Sequence, residues 1–385
     1  MNPVRCFVKI RENHDSISPD MTEEQKNRFL RHTLLPQVGE TGQETLLRSS
    51  ILIVGCGGLS SPAALYLAAA GVGRIGLVDD DHVDRSNLQR QILFADAQVG
   101  QPKVTAAAER LRALHPDIQV DEFPVRLTPE NAQTIAQEYD LILDGSDNFP
   151  TRYLTNDLAF FLKKPLIYGS IFQFDGQVTV FEGHLPDQPC YRCLLPEPPP
   201  PHAVPNCAEA GVLGALPGII GSLQAMEALK YLLKIGKVPS GQLLHYDALR
   251  SETRTLKLRK NPDCRLCGTH PTLETLQHEG YSCPVNEPYI PLSVEEFRTM
   301  RENGWSGTLL DVRTPEEYAE HRIEGSVFLT LQELPLRYEE LPKEQEIVIH
   351  CKAGMRSANA CLFLAEKGFK NLSNLEGGIQ AWEGH

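Results

Sequence analysis

Cysteines carry the densest chemical signal in this chain of 385 residues. C-Y-R-C (190–193) and C-R-L-C (264–267) are two C-x-x-C pairs with 70 residues between them. The thiolates of Cys190, Cys193, Cys264 and Cys267 would close a tetrahedral Zn²⁺ site, structural because no coordination position is left open. The separation is long for a finger, so the metal would clip together the two ends of a subdomain. The rival reading, a redox C-x-x-C, needs only one pair. Cys351 opens a different pattern, the six-residue loop C-K-A-G-M-R (351–356), between an apolar strand and a helical S-A-N-A-C-L-F-L. A loop of that length with a glycine inside can curl so that its amides face one sulfur, and the helix N-terminus adds its dipole. That predicts Cys351 as an exposed, readily ionised nucleophile, with Cys361 a buried bystander on the helix. Cys207, in N-C-A-E-A-G-V, is an isolated loop cysteine of the usually inert kind.

A second group of residues points to phosphate chemistry. G-C-G-G-L-S (55–60) links an apolar strand to a helix; its glycines allow close backbone approach, and the helix N-terminus supplies donors. Ser60 stands where a dinucleotide fingerprint has its third glycine. Asp79 ends the next strand, where a carboxylate can accept from ribose hydroxyls. This much suits NAD as well as ATP. S-N-L-Q-R-Q (86–91), G-Q-P-K (100–103) and D-G-S-D-N (144–148) then place Asn87, Arg90, Lys103 and Asp147 in loops at strand ends. Two cations, an amide and a carboxylate are what a triphosphate with Mg²⁺ requires, and a hydride-transfer enzyme has no need for them.

These residues need a scaffold that gathers strand ends. Thr22–Ser50 reads as helical, with Thr22 as N-cap. I-L-I-V-G (51–55) is a buried strand, 61–71 a helix, and 74–79 a second buried strand. Helix over 103–114, strands over 118–123 and 140–144, and helix over 152–162 continue the alternation. Strands alternating with helices predict an α/β fold, a doubly wound, mostly parallel Rossmann-like sheet. After 165–169 the alternating Q-V-T-V-F (177–181) is more typical of an antiparallel extension. P-E-P-P-P-P-H-A-V-P (196–205) can only be an extended loop, and 221–233 returns to helix. Residues 268–291 carry four prolines and little periodicity. The chain therefore divides into a tail over 1–20, a large domain over 21–268 with its zinc-clipped subdomain, a linker over 269–289, and a small α/β domain over 290–385.

Composition narrows the function classes. A formal net charge of −13 argues against nonspecific nucleic-acid binding. No apolar run approaches the roughly 18 residues of a spanning helix, so no membrane is implied. The first residues lack an apolar h-region, which makes the cytoplasm the default location. Ten cysteines are not expected to form a disulfide framework there.

Taken in order, G-C-G-G-L-S-S-P, G-V-G-R-I-G-L-V-D-D-D, S-N-L-Q-R-Q, G-Q-P-K, D-G-S-D-N, E-A-G-V-L-G and G-S-L-Q-A-M-E-A-L-K resemble the MoeB/ThiF branch of the ubiquitin-activating-enzyme family over about 20–268. The resemblance implies an ATP-dependent adenylyltransferase that activates the terminal Gly-Gly carboxylate of a ubiquitin-like sulfur carrier. It places Gly58 against the nucleotide and Asp79 on the ribose. The S-N-L-Q-R run, Ser86, Asn87, Leu88, Gln89 and Arg90, would hold phosphates with Lys103, and Asp147, beside Asn148, would bind Mg²⁺. Arg31, in N-R-F-L-R-H, would reach a partner subunit's site, which implies a homodimer. The resemblance also supports zinc at the four paired cysteines and puts Cys207 on a loop crossing over the adenylate. L-L-D-V-R-T-P-E-E-Y (309–318), H-R-I-E-G-S (321–326), the Cys351 loop and L-E-G-G-I-Q-A-W (375–382) resemble a rhodanese domain. That implies a persulfide on Cys351, held by Arg356 and the loop amides, charged by thiosulfate or a cysteine desulfurase. Two competing readings are an NAD-dependent persulfide or disulfide oxidoreductase with a rhodanese appendage, and a noncatalytic scaffold for a ubiquitin-like partner.

Overall fold

The computed structural model describes residues 21–198, 211–277 and 289–384. They fall into two compact units, the first running to residue 277 and the second starting at 289.

The first unit is built on an eight-stranded sheet. Its strands are β1 Ser50–Val54, β2 Arg74–Val78, β3 Gln119–Phe123, β4 Leu141–Asp144, β5 Leu166–Phe172, β6 Asp175–Phe181, β7 Gln242–Asp247 and β8 Glu252–Lys257. They lie in the order β3-β2-β1-β4-β5-β6-β7-β8. The first five are parallel, with Ile51 of β1 facing Ile75 of β2 on one side and Leu141 of β4 on the other. The last three pair antiparallel, as the Q-V-T-V-F alternation predicts. β1 shows why the parallel strands read as continuous apolar runs. All five of its residues are buried. Ile51 and Ile53 pack into one cluster with Ala63, Leu67 and Val104, while Leu52 and Val54 pack on the opposite face with Ile142, Tyr139 and Tyr153.

The helix over Lys103–Leu114 spans the residues its pattern predicts. The Thr22–Ser50 stretch does not form one helix. Thr22 caps Glu23–Arg28 through a capping box with Gln25, but Leu30–Thr33 and Gly39–Arg48 are separate helices. Pro36 and Gly39, whose φ is +57°, interrupt the run. The helix expected over 221–233 begins earlier, at Ala215. Strands β7 and β8 and the helix Pro129–Ala136 carry no expectation from sequence.

The second unit is a five-stranded parallel sheet of β9 Ile290–Leu292, β10 Thr308–Asp311, β11 Val327–Phe328, β12 Ile347–His350 and β13 Leu372–Leu375, in the order β11-β10-β12-β13-β9. Leu310, Ile347 and Ile349 face one apolar cluster, Leu309 and Val348 the other. Residues 269–277, inside the stretch read as a linker, belong to the first unit; residues 1–20 and 278–288 lie outside the described residues. Among the described residues no helix is long and apolar enough to cross a membrane.

Candidate functional site

Strand order in the first sheet reverses at β1: the chain runs outward from β1 through β2 to β3, then crosses back to β4 on the other side of β1. Loops leaving the carboxyl ends of β1 and β4 therefore diverge, and the crevice between them is the expected ligand site of a doubly wound sheet. A cavity of about 610 Å³ opens there, within the usual size for small-molecule sites. Its wall includes Gly58, Asp79, Arg90, Lys103, Asp147 and Asn148 from the sequence-derived set. Gly55 makes the turn out of β1 at φ +83°, and a side chain there would press on the backbone of Gly145 and Ser146. Ser60 begins the helix Ser60–Ala69, buries its side chain, and donates its hydroxyl to the Gly55 carbonyl. The hydroxyl thus ties the loop in place of the missing glycine.

Asp79 is fastened on both oxygens. Oδ2 accepts from the Cys56 N–H at 2.6 Å and Oδ1 from the Asp81 N–H at 2.8 Å, and each oxygen keeps a second lone pair for a hydroxyl. Burial pushes its carboxyl above the usual range, against the pull of Lys103. Lys103 is itself buried, with Nζ on Asp81 Oδ2 at 2.8 Å. The segment Arg85–Asn87 is a 3₁₀ turn. Ser86 and Asn87 both bond Asp84, Leu88 packs against the core, and the Gln89 carbonyl lies against Gly214. These four do not line the cavity; they shape the turn that delivers Arg90 to it. Arg90 Nη1 donates back to the Ser86 carbonyl at 3.1 Å. Arg31 is exposed on Leu30–Thr33 and does not line the cavity of its own chain. Cys207 lies outside the described residues.

Beyond β4, Asp147 is exposed at the cavity, and the Asn148 side chain caps Phe149–Phe161 by accepting from the Thr151 N–H. Two residues emerge here that the motif reading left without a role. Asp144 is fully buried at the end of β4; burial raises its carboxyl, with Arg152 pulling the other way. Arg152, one turn into the helix, lines the cavity and donates to the Ser146 carbonyl at 3.4 Å. A cation in the first turn of a helix after D-N was the available sequence signal.

The same helix holds the cysteine pairs. Sulfur–sulfur distances are 4.0 Å for Cys190–Cys193, 3.6 Å for Cys190–Cys264, 3.4 Å for Cys190–Cys267 and 3.4 Å for Cys193–Cys267. A tetrahedron with zinc–sulfur bonds of about 2.3 Å has edges of about 3.8 Å, so the four thiols fit Zn²⁺, and they are too far apart for disulfides. The Asn261 and Cys267 amides donate to Cys193 and Cys264 sulfur. The hydrogen bond with Cys190 draws the Cys193 thiol down, while Cys190 is pushed up through its bond to Cys193. Between the first pair, the Tyr191 N–H donates to Asn156 Oδ1 at 2.7 Å, and Arg192 grips Asp157 with two bonds of 2.8 and 2.6 Å.

In the second unit Cys351 follows β12 and opens the expected loop, but it is 1% exposed rather than open to solvent. Its sulfur is turned into the curl, where the Gly354 N–H donates at 3.1 Å and the Ser357 hydroxyl at 3.4 Å. Gly354, at φ +93°, makes the curl and leads into Met355–Glu366. Arg356 is engaged elsewhere: Nη1 and Nη2 lie 2.6 and 2.7 Å from the two Glu317 oxygens, and this pairing holds the Glu317 carboxyl at about 2. Ser357 and Glu317 were both inside quoted motifs, but their contacts with Cys351 and Arg356 depend on the folded loop.

A ThiF family model matches residues 29–266. The chain belongs to the ThiF family. A rhodanese-like domain model matches residues 293–385, so the second unit is rhodanese-like. The "Sulfur carrier protein adenylyltransferase" of Thermus thermophilus is 56% identical over 68% of this chain and 97% of its own length. The "Probable adenylyltransferase/sulfurtransferase MoeZ" of Mycobacterium tuberculosis is 40% identical over 94% of each chain. Among solved structures, Escherichia coli MccB with MccA-N7isoASN shares the fold, with a TM-score of 0.55 at 19% identity over 64% of this chain and 76% of that one. As a ThiF-family chain with adenylyltransferase relatives, the protein uses ATP, which displaces the NAD reading.

Proposed function

We propose that the protein adenylates the C-terminal Gly-Gly carboxylate of a ubiquitin-like sulfur-carrier protein and then transfers sulfur to it from Cys351. The observation that carries this reading is the convergence of Gly58, Asp79, Arg90, Lys103 and Asp147 on one cavity at the sheet's switch point. The glycine-rich turn lets phosphates approach the helix N-terminus, Asp79 takes the ribose, and Arg90 and Lys103 neutralise the triphosphate. Asp147 offers hard carboxylate oxygen to Mg²⁺, which when bound would shield phosphate charge. The carrier carboxylate attacks the α-phosphorus, the bond to the bridging oxygen breaks, and pyrophosphate leaves. Lys103 must exchange Asp81 for phosphate as ATP enters.

The acyl-adenylate is then open to a persulfide on Cys351, formed from thiosulfate or a cysteine desulfurase. The terminal sulfur attacks the carbonyl and AMP leaves, giving an acyl disulfide. A thiol must then reduce its sulfur–sulfur bond to release the thiocarboxylate, and Cys207 is the internal candidate. The Gly354 amide and the Ser357 hydroxyl support negative charge on sulfur, and Arg356 braces the loop through Glu317. Arg31, exposed and away from its own cavity, suits a contact with a second copy's nucleotide in a homodimer. Zinc at Cys190, Cys193, Cys264 and Cys267 would fasten the subdomain. The test is ATP–pyrophosphate exchange with purified protein and candidate carriers. Exchange should require a carrier ending in Gly-Gly, and intact mass should show one oxygen replaced by sulfur when a sulfur donor is added. Exchange without any carrier, or none with every carrier, would remove the adenylation reading.

A further inference from the structure

Residues 269–277 follow the second cysteine pair, and they run back to the nucleotide cavity. The segment is pinned at its start. The Thr272 and Leu273 N–H groups both donate to the Arg265 carbonyl, at 2.8 and 2.9 Å. Leu273 is 3% exposed and packs among Cys190, Cys264, Leu266 and Cys267. Further along, Leu276 packs against the cluster that contains Leu127 and Leu154. Gln277 then forms part of the cavity wall, together with residues 125–129, which follow β3.

Strand order says which part of a nucleotide lies there. The phosphates belong at the β1–β4 crevice and the ribose at Asp79, at the end of β2. β3 is the next strand outward, so a base extending beyond the ribose comes to rest by its carboxyl end. Val78, Val125, Leu127 and Leu154 line the cavity with apolar surface suited to the faces of a purine ring. A ring held by its faces is identified at its edge, and Gln277 brings a neutral group that donates and accepts at once.

We propose that the Gln277 carboxamide reads the N6/N7 edge of adenine, accepting from the exocyclic amine and donating to N7. Guanine presents two acceptors on that edge, O6 and N7, so one arm of the amide would face a like group. The inference rests on the adenylation reading above and adds to it a residue that selects the base. The segment pinned beside the cysteine cluster is what brings that residue to the cavity.

The experiment compares ATP, GTP and 7-deaza-ATP, which lacks the N7 acceptor, in carrier-dependent pyrophosphate exchange. Wild-type protein should prefer ATP over both. Gln277→Ala should raise KM for ATP by about threefold to tenfold, the loss of one or two neutral hydrogen bonds, with kcat nearly unchanged. Its ratio of kcat/KM for ATP to that for 7-deaza-ATP should fall close to one, while zinc content and Tm stay at wild-type values. A structural role alone would not move that ratio. If Gln277→Ala folds poorly, Gln277→Asn, one methylene shorter, gives the same comparison. A variant that keeps the wild-type KM and base preference overturns the proposal. Wild-type protein that shows no exchange refutes the adenylation reading itself, a different result.

Discussion

His350, the residue before the nucleophile, is fully buried in the second unit with its Nε2 3.5 Å from Asp311 Oδ2. Asp311 is already committed to Arg313 at 2.7 Å, and neither ring nitrogen has a hydrogen-bond partner among the described residues. Burial, the dominant cause, pushes the imidazole down from 6.5 to about 4. The ring is thus neutral in the folded protein, and above pH 6.5 it is neutral unfolded as well, so it contributes no pH dependence there. As pH falls through 6.5 the unfolded chain takes up a proton that the fold refuses. Stability is lost until about pH 4, where the folded ring also protonates; the loss totals about 3 kcal/mol. Both tryptophans of the chain, Trp305 and Trp382, lie in this unit, so their fluorescence reports its unfolding selectively. Urea melts followed this way should lose stability between pH 6.5 and 4 in wild type and much less in His350→Phe. Equal slopes would show that His350 is not the sensor. The Glu317–Arg356 pair acts in a lower window: Glu317 is depressed, so its contribution is present above about 4.5 and lost as pH falls toward 2.

Among the elements, the helix Phe149–Phe161 joins two sites that are far apart in sequence. Its first turn carries Arg152 to the cavity, and about one turn on, Asn156 and Asp157 hold the C-Y-R-C segment. Arg192 and Asp157 are 1% and 2% exposed, so removing one partner strands the other charge in the interior. Asp157→Ala should destabilise the first unit by about 3–5 kcal/mol, and Cys264→Ser should lose the metal together with stability. Urea melts by circular dichroism, with zinc measured on the same samples, would show this. An Asp157→Ala protein as stable as wild type would mean the pair is dispensable. Sequence legibility followed the same physics. β1 was readable because burial on both faces prints a continuous apolar run, and Lys103–Leu114 because burial on one stripe prints a helical period. β8 was not, because all six of its residues are exposed and no alternation survives. The cavity's glycine, acidic and basic residues were legible as motifs at strand ends. Gln277 was not, because its place depends on a turn pinned to cysteines rather than on any local pattern. The orientation of Cys351 was missed for a related reason: a curled loop that aims amides at a sulfur also covers it.

At the scale of the whole molecule, the two units have separate sheets and separate apolar clusters, which makes their chemistries separable by mutation. Cys351→Ala should abolish thiocarboxylate formation yet leave carrier-dependent pyrophosphate exchange nearly intact. Asp147→Ala should do the reverse, cutting exchange on the order of 10² while sparing sulfur loading of Cys351 from thiosulfate. Intact-mass spectra of carrier and enzyme distinguish the two, and a Cys351→Ala protein that forms thiocarboxylate as fast as wild type would dismiss the second unit as the sulfur source. The clip described above also sets an order of events in time. Cys190 and Cys264 are 74 residues apart, and a ribosome adding about 5–20 residues per second needs roughly 4–15 s to make that stretch. Throughout that interval the first pair waits with an incomplete ligand set, as β7 and β8 are still being made. Capture of zinc by these four thiols would therefore be a late event in the birth of the first unit. A nascent chain starved of zinc should stall with its sheet assembled and its last turn, the one leading to Gln277, still loose.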